Sequence, residues 1–350
     1  MTNKIAPQSV SRAAELFASA ERIVLFTHMA PDGDAMGSTL ALYHHLVSSA
    51  HSSVTPIVPN AFPDFLAWLP GAEQMLVFEK EAERSADVIR HADLIVCLDF
   101  NEPKRIGPAG ELLLQNPCPK VLIDHHIMAD KEWLREGDVV ISHPESPSAS
   151  ELVFRLLWQT QNFQLSTDIA TCIYTGMMTD TGNFSFNSNY PEMYEIIMHL
   201  VEAGIDKDAI YNSVFNQYSA DRMRLMGYCL HQKMRIFPEC HLALIALSSA
   251  ELKQFHFRQG DAEGLVNLPL QIADVYYSVF MREQDPKPGT PKPVVKISFR
   301  SQGDRPVNIF AREIFNGGGH MNASGGEYVG SIHGAVSRFL ASYSKYLKED

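Results

Sequence analysis

The sequence has no apolar run close to the roughly 18 residues that a membrane-spanning helix requires, so we predict no transmembrane segment. Its first ten residues, MTNKIAPQSV, do not combine a charged start with an apolar block. They therefore do not resemble a secretory signal peptide. Because both features are missing from the sequence, we predict a cytoplasmic protein that has no membrane partner.

The sequence also contains fewer basic than acidic residues. The 350 residues include 29 Lys and Arg but 41 Asp and Glu, which gives a formal net charge of −12. A protein that coats long duplex nucleic acid needs many cationic side chains to replace counterions, so this balance argues against such a partner. The same charge balance is compatible with a short phosphorylated substrate that is held by metal ions and a few arginines. Some of the acidic excess then belongs to a site whose bound cations the formal count omits.

Cysteine is sparse, and no two cysteines form a C-x-x-C pair. Their number is odd and their neighbours are mostly apolar. This pattern favours buried, reduced thiols over a disulfide framework or a thiolate zinc site. The five cysteines are Cys97, Cys118, Cys172, Cys229 and Cys240.

The sequence does contain a series of short apolar runs, each followed by acidic or imidazole residues. Continuous apolar runs separated by helical stretches predict a parallel sheet that is covered on both faces. Ligands bind beyond the carboxyl ends of the strands in such sheets, so we expect these polar residues to meet at one edge. The runs are Ile23 to Phe26 before His28, Asp32 and Asp34, Leu94 to Leu98 before Asp99, and Val121 to Ile123 before Asp124, His125 and His126.

Helical patterns flank these runs. The first begins near Gly37, which would leave Asp32 and Asp34 on the preceding loop. Two more cover Ser148 to Leu157 and Asp168 to Met178. Asp180 follows the last of these, where the next residues, TGN, favour a turn. We therefore expect Asp180 where this helix must stop.

The length of the chain permits two domains. The predicted fold class is α/β, with a mainly parallel sheet flanked by helices in a catalytic domain over residues 1–188. A helical linker follows over residues 189–232, and a smaller α/β domain over residues 233–350. In this last part we predict strands at His241 to Leu247 and Val294 to Arg300, and helices at Val307 to Phe315 and Val336 to Leu347.

Aspartate and histidine side chains are ligands that suit Mn²⁺, Mg²⁺ or Fe²⁺. Several carboxylates at one sheet edge repel one another unless cations lie between them. Two divalent ions would balance four aspartates, and such a pair is a common device for hydrolysing phosphate esters. Capping or turn formation explains any single residue of the set at least as well, but it does not explain three strand ends together.

Five stretches of the sequence resemble motifs of a known family. They are FTHMAPDGDAMGS, LIVCLDF, VLIDHH and MMTDTGNF, in the family's order, together with NGGGHMNASGG. The first four resemble the Asp-His-His (DHH) phosphoesterases, most closely the bacterial nano-RNase branch. The fifth is similar to the glycine-rich motif of the accessory DHHA1 domain. The branch consists of bifunctional oligoribonucleases that also act as 3′-phosphoadenosine 5′-phosphate phosphatases, and the resemblance covers nearly the whole chain.

The resemblance implies a role for each matching residue. Asp99 would bridge two divalent cations, most simply Mn²⁺, with Mg²⁺ or Co²⁺ as alternatives. His126 would contact the scissile phosphate or assist the leaving oxygen, and Asp124 would orient a histidine. The first cation would be held by His28, Asp32 and Asp99, and the second by Asp34, Asp99, His125 and Asp180.

The resemblance also implies substrate-binding residues, each of which has a structural alternative. Gly318, Gly319 and His320 would meet the substrate, although a glycine-closed helix end explains their spacing. Arg300 would bind phosphate, or it is an exposed arginine at a strand end. Ser148 and Ser150 would lie near the site, or they cap the following helix.

The expected function is hydrolysis by two metal ions, in which a hydroxide attacks phosphorus and the 3′ oxygen leaves. The expected substrates are very short RNA oligonucleotides and nucleoside bisphosphates, and a homodimer is an open alternative to a monomer. Other candidate functions are a phosphodiesterase for linear or cyclic dinucleotides, a family II inorganic pyrophosphatase and a non-catalytic nucleotide sensor. The NGGGH stretch argues against the pyrophosphatase, and the complete ligand set argues against the sensor.

Overall fold

The computed structural model describes residues 5–49, 53–128, 132–161, 163–258, 260–286 and 292–346. The chain divides into two compact units, residues 1–217 and 218–350. Each unit contains a six-stranded sheet with helices, which confirms the predicted α/β class. The division falls inside residues 189–232, and the assignment of that stretch as a separate linker stays a prediction.

The sheet of the first unit is parallel throughout. Its order is β3-β2-β1-β4-β5-β6, and every neighbouring pair runs in the same direction. This confirms the parallel sheet that the apolar runs predict. The strands are β1 (Arg22–Phe26), β2 (Ser53–Val58), β3 (Leu76–Val77), β4 (Leu94–Leu98), β5 (Lys120–Asp124) and β6 (Val139–Ser142).

Helices pack on both faces of this sheet. Along β1, Ile23 and Leu25 belong to one apolar cluster, whereas Val24 and Phe26 belong to another on the opposite face. Every residue of β4 and β5 is buried, as expected for strands that are covered on both sides. The helices of the unit are α1 (Pro7–Ser19), α2 (Gly33–Ser48), α3 (Ala82–His91), α4 (Ala109–Gln115), α5 (Ala149–Trp158), α6 (Thr167–Asp180), α7 (Pro191–Glu202) and α8 (Lys207–Phe215).

The strand order reverses between β1 and β4, which are adjacent in the sheet. The connections that leave these two strands lead to opposite sides, and a crevice therefore opens beyond their carboxyl ends. Such crevices are the usual ligand sites of open α/β sheets. Because β5 is the next neighbour of β4, the residues that follow β1, β4 and β5 share one edge of the sheet.

Two helix boundaries differ from the sequence expectation. Helix α2 begins at Gly33 and not near Gly37, because the Asp32 carboxylate caps it by accepting from the backbone N–H groups of Asp34 (3.1 Å) and Ala35 (3.0 Å). Asp34 therefore lies in the first turn of a helix and not on a loop. Helix α6 extends two residues beyond the predicted Met178 and ends at Asp180, which confirms Asp180 as the residue where the helix stops.

Close packing of α2 and α5 against α6 fixes where these helices end. A Cβ atom added to Gly37 would lie 2.5 Å from the carbonyl oxygen of Cys172. One added to Gly176 would lie 1.9 Å from Ser150 Oγ and 2.8 Å from Asp34 Oδ1. Both distances are far below van der Waals contact, so only glycine permits this approach. The approach is what brings Asp34 near the end of α6.

The second unit has a mixed sheet in the order β11-β12-β10-β9-β8-β7. Strands β8 and β9 are parallel, and the other pairs are antiparallel. The strands are β7 (Arg235–Phe237), β8 (Leu242–Leu247), β9 (Tyr277–Gln284), β10 (Val294–Ser301), β11 (Gly318–Gly319) and β12 (Ala323–Val329). The helices are α9 (Ala220–Tyr228), which continues into a π-helical turn (Cys229–Lys233), α10 (Ser249–Gln254), α11 (Asn308–Phe315) and α12 (Ile332–Tyr346).

A ring cluster forms the core of the second unit, where Phe310 packs against Phe299, Phe315 and Phe339. Helix α12 begins four residues before the predicted Val336. Its predicted end, Leu347, lies outside the described residues. All five cysteines are free thiols, and four of them are buried while Cys118 is half-buried. Among the described residues, no helix is both long and apolar enough to cross a membrane.

We predict that Gly176→Ala lowers the free energy of unfolding of the first unit by about 1–3 kcal/mol, because the added methyl overpacks the junction of α2, α5 and α6. The matched control is Gly227→Ala in α9, where an added Cβ meets no atom within 4 Å. That change should be neutral or stabilise by up to about 1 kcal/mol. Urea denaturation followed by circular dichroism measures both, and equal effects of the two variants would contradict the packing constraint.

Candidate metal centre

Eight Asp and His side chains of the first unit come together at the carboxyl edge of its sheet. Strands β1, β4 and β5 supply six of them through the residues that end or follow each strand. Helices α2 and α6 supply the other two, Asp34 and Asp180. We call the set the Asp-His cluster, and its members are His28, Asp32, Asp34, Asp99, Asp124, His125, His126 and Asp180.

His125 lies where three carboxylates converge. Its Nε2 is 3.2 Å from Asp99 Oδ1, 3.2 Å from Asp180 Oδ2 and 3.7 Å from Asp34 Oδ2. One ligand atom from each of Asp34, His125 and Asp180 lies within 4.8 Å of the others. These three residues therefore form a group of the size that one metal ion requires.

A second group forms on the other side of Asp99. The ligand atoms of His28, Asp32 and Asp99 also lie within 4.8 Å of one another, and His28 Nε2 is 3.3 Å from Asp99 Oδ2. Asp99 thus turns one oxygen toward His28 and the other toward His125. This is the arrangement expected of a carboxylate that bridges two cations, and the assignment of particular residues to particular ions stays a prediction.

The backbone and the environment of Asp99 are both unusual. It adopts a left-handed conformation with φ +63°, which Asp tolerates better than most residues. Its side chain is 2% exposed. Oδ1 accepts no well-oriented hydrogen bond from any described residue, although His125 Nε2 is 3.2 Å away. A buried carboxylate oxygen without such a partner is costly, and a cation between the two groups would satisfy it. The cluster therefore fits divalent cations.

Backbone carbonyls orient two of the imidazole rings. His28 Nδ1 lies 2.8 Å from the carbonyl oxygen of Met29, and His125 Nδ1 lies 3.2 Å from that of Ser146. A carbonyl oxygen only accepts hydrogen bonds, so Nδ1 carries the proton in both rings. Nε2 of each ring is therefore the atom that faces the carboxylates, and once deprotonated it can offer its lone pair to a metal ion.

The amino end of α5 holds Asp34. Its Oδ2 accepts from the backbone N–H of Ala149 (2.6 Å), and its Oδ1 accepts from that of Ser150 (2.9 Å). The partial positive charge of a helix N-terminus stabilises a carboxylate in this position. Ser148 caps the same helix by accepting from Glu151 N–H at 3.1 Å. Ser148 and Ser150 are fully buried, so the structure shows the capping and packing alternative, and substrate binding by either serine stays a prediction.

Asp124 orients His126. Its Oδ1 accepts from His126 Nδ1 at 2.8 Å, and its Oδ2 accepts from Asn101 Nδ2 at 2.6 Å. Asn101 Nδ2 also donates to the carbonyl oxygen of His126 at 3.2 Å. Asn101 thus supports both the ring and the backbone of His126, although no motif in the sequence predicts this role. The sequence shows only that Asn101 is a polar residue two positions after Asp99.

Burial and mutual repulsion raise the proton affinity of the cluster. Burial, followed by the charge of Asp99, raises the pKa of Asp34 to about 7, and burial raises the pKa of Asp180 well above its usual value. Burial alone would lower the pKa of His125, but the close Asp99 carboxylate and the charges of Asp180 and Asp34 raise it well above normal. Without cations, the cluster therefore holds protons. These protons must leave when the same side chains bind a metal ion.

The remaining predicted residues belong to the second unit and are described there by themselves. Arg300 is half-buried in β10, and its Nη1 donates to the carbonyl oxygen of Phe299 at 2.9 Å. Gly318 and Gly319 form the exposed edge strand β11, which pairs with β12. The carbonyl oxygen of His320 accepts from Ser324 Oγ at 2.7 Å. These contacts account for the local fold, and binding of a substrate by these four residues stays a prediction.

The close approach of two backbones explains part of the glycine-rich stretch. A Cβ atom on Gly317 would lie 1.8 Å from the carbonyl oxygen of Gly325. Helix α11 ends immediately before this point, with Asn316 in the left-handed conformation. A structural reason for these residues is therefore present whether or not they meet a substrate.

Comparison with known proteins agrees with this geometry. Residues 22–177 match the family described as the DHH family, N-terminal domain. The crystal structure of an exopolyphosphatase-related protein from Bacteroides fragilis is 46% identical, covers 100% of both chains and superposes with a TM-score of 0.90. The bifunctional oligoribonuclease and PAP phosphatase NrnA of Thermus thermophilus is 28% identical over 327 residues, which are 93% of this chain and 90% of that protein.

A more distant likeness concerns the fold alone. The structure of RecJ in complex with Mn²⁺ from Thermus thermophilus has a TM-score of 0.56 and 14% identity. The alignment covers 97% of this chain and 55% of the RecJ chain. The manganese in that structure belongs to RecJ.

We predict that Mn²⁺ binding releases at least about one proton per protein at pH 7, because the Asp34 carboxyl and the His125 ring must be deprotonated to act as ligands. The affinity should fall as the pH drops below about 7, where Asp34 keeps its proton. Calorimetric titration at pH 7 in two buffers of different ionisation enthalpy counts the protons. Identical heats in the two buffers, together with equal affinity at pH 6 and pH 8, would disprove this assignment of the ligands.

Proposed function

We propose that this chain, which belongs to the DHH family, hydrolyses very short RNA oligonucleotides and removes the 3′ phosphate of nucleoside 3′,5′-bisphosphates. Family membership makes it a metal-dependent phosphoesterase that acts on nucleotides. The observation that carries the proposal is the position of Asp99, with one oxygen toward His28 and the other toward His125. The name of the Thermus thermophilus relative supports the choice of substrates.

Two divalent cations, when bound, supply a water of lowered pKa and neutralise charge that develops on the phosphoryl group. The residues that would hold them are those implied by the family motifs, with Asp99 shared between both. Oxygen and imidazole donors without thiolate favour Mn²⁺, with Mg²⁺ or Co²⁺ as alternatives. The set is His28, Asp32 and Asp99 for one cation and Asp34, Asp99, His125 and Asp180 for the other.

His126 is suited to meet the phosphate itself. Its side chain is 27% exposed, whereas His125 is 4% exposed. Asp124 is fully buried and keeps the Nδ1 side of the His126 ring turned inward, so the Nε2 side is turned away from Asp124. With Nδ1 donating to the Asp124 carboxylate, a proton on Nε2 could be donated to a phosphate oxygen or to the leaving 3′ oxygen. Asp124 is the positioning residue in this pair.

The charge of the protein favours short substrates. A formal charge of −12 repels long polyanions, and few cationic side chains are present to replace their counterions. A dinucleotide or a bisphosphate carries few phosphates, so the bound cations and a few arginines suffice to hold it. The preference for short RNA over long RNA therefore follows from charge as well as from the likeness to the oligoribonucleases.

We expect the protein with Mn²⁺ to release mononucleotides from a labelled diribonucleotide and phosphate from adenosine 3′,5′-bisphosphate, and to act slowly on a long RNA. Asp99→Asn, which keeps the shape of the side chain but removes its charge, should lower kcat by at least about 100-fold. Product analysis on a panel that includes pyrophosphate and cyclic dinucleotides provides the measurement. Faster turnover of pyrophosphate or of a cyclic dinucleotide than of any linear dinucleotide would favour the competing enzyme classes instead.

We further predict that Asn101→Ala lowers kcat by about 10- to 100-fold and shifts the pH profile, because Asp124 loses one of its two donors and His126 loses its backbone support. The matched control is Asn116→Ala. Asn116 is also buried and also donates two hydrogen bonds, to the carbonyl oxygens of Ile89 and Ala92. The control should lower stability without moving the pH profile. A similar shift in both variants would assign Asn101 a structural role only.

A further inference from the structure

Arg105 lies at the crevice beside the Asp-His cluster, on a turn that follows β4. This 3-10 turn spans Pro103–Ile106. The backbone N–H of Met29, which follows His28 at the end of β1, donates to the carbonyl oxygen of Arg105 at 2.8 Å. One hydrogen bond therefore joins the loops that leave β1 and β4, the two strands at which the order of the sheet reverses. Ligands bind at this position in sheets of this kind.

The side chain of Arg105 is exposed, and it makes no hydrogen bond or ion pair with any other residue in the described ranges. Its neighbour Lys104 is also exposed, but Lys104 Nζ is paired with Glu102 Oε2 at 2.5 Å. The two adjacent side chains carry the same charge, but among the described residues only Lys104 is paired with a carboxylate. The Arg105 guanidinium is available to an anion from solution.

The charge of Arg105 reaches the cluster. The pKa of His28 is lowered by burial and by Arg105, and it is raised by Asp99 and Asp32, which together outweigh the first two. The guanidinium is therefore within electrostatic reach of His28. It remains outside the buried part of the cluster, where Asp34 is 0% and Asp99 is 2% exposed.

A phosphate near Arg105 would lie apart from the phosphate that reacts. The phosphate that reacts must approach Asp99 and its neighbours at the bottom of the crevice. A planar guanidinium can bind a phosphate group through two parallel hydrogen bonds. Because Arg105 lies at the rim, the phosphate that it meets would be one that stays near solvent. A nucleoside bisphosphate and a 5′-phosphorylated dinucleotide both carry such a second phosphate.

We propose that Arg105 binds a phosphate of the substrate other than the one that is hydrolysed, and so favours nucleotides that carry two phosphates. This inference rests on the proposed function, because it takes the hydrolysed group to be a nucleotide phosphate. Arg105 would then set specificity, while the cluster carries out the reaction.

The test compares two substrates that differ by one group, adenosine 3′,5′-bisphosphate and adenosine 3′-monophosphate. In Arg105→Ala, the ratio of kcat/KM for the bisphosphate to that for the monophosphate should fall by about 10- to 100-fold, chiefly through KM. Arg105→Lys should restore part of the ratio, since it keeps the charge but loses the fork. The matched control Lys104→Ala removes an adjacent exposed charge and should leave the ratio unchanged.

A binding measurement provides a readout apart from turnover. Adenosine 5′-phosphate with a 3′-methylenephosphonate has no ester bond to phosphorus at the 3′ position, where hydrolysis is expected, and its Kd can be measured by calorimetry with Mn²⁺ present. The Kd should rise by about 10- to 100-fold in Arg105→Ala, while the Kd for Mn²⁺ changes by less than about threefold. Thermal unfolding shows whether the variant is folded, which is expected for an exposed side chain.

Each other outcome decides against the inference. An equal loss on both substrates would place Arg105 at the reacting phosphate or at the metal ligands. An unchanged ratio, or the same change in Lys104→Ala, would leave Arg105 without a specific role. If the wild-type protein hydrolyses neither nucleotides nor short RNA, the proposed function fails. The ratio of Kd values for the bisphosphate and the monophosphate, measured in wild type and Arg105→Ala, then still decides whether Arg105 binds the second phosphate.

Discussion

The first unit is organised around a concentration of negative charge that the chain cannot relieve by itself. Asp34, Asp99 and Asp180 all face the Nε2 atom of His125 within 3.7 Å. One imidazole cannot neutralise three carboxylates. Burial, followed by the charge of Asp99, raises the pKa of Asp34 to about 7, so protons remain in the cluster. Repulsion of this kind destabilises the folded unit, and cation binding would relieve the repulsion. The stability of the unit and the occupancy of its metal centre should therefore be linked.

The fold holds these carboxylates together by distributing their supports over several elements. The amino end of α5 donates two backbone N–H groups to Asp34. The order of the sheet places Asp99 between the ends of β1 and β5, and the glycine at position 176 lets α6 approach closely enough to bring Asp180 into the cluster. No single segment contains the centre. It forms only when the whole sheet and its covering helices have assembled, which is why its residues lie up to 152 positions apart, from His28 to Asp180.

The sequence predicts the parts of this arrangement that depend on local patterns. Strand β4 has the predicted bounds because its side chains are buried on both faces, and a continuous apolar run is the direct consequence. The predicted start of α2 was wrong because the Asp32 cap, and not hydrophobic periodicity, determines where the helix begins. The contact of Ala149 N–H with Asp34 and the role of Asn101 could not be predicted, since they join residues 115 and 23 positions apart that no local pattern connects.

The balance of charge in the crevice explains why an acidic protein can act on an anion. Two divalent cations, held as proposed, would balance the charges of Asp32, Asp34, Asp99 and Asp180. Most of the negative charge at the bottom of the crevice would then be compensated, so the reacting phosphate would meet much less repulsion than the empty cluster would exert. In that state Arg105, which pairs with no carboxylate among the described residues, would add positive charge at the rim, where a second phosphate is proposed to bind. Cations are thus required for the substrate to enter as well as for the reaction, and an enzyme without them should fail to bind nucleotides before it fails to cleave them.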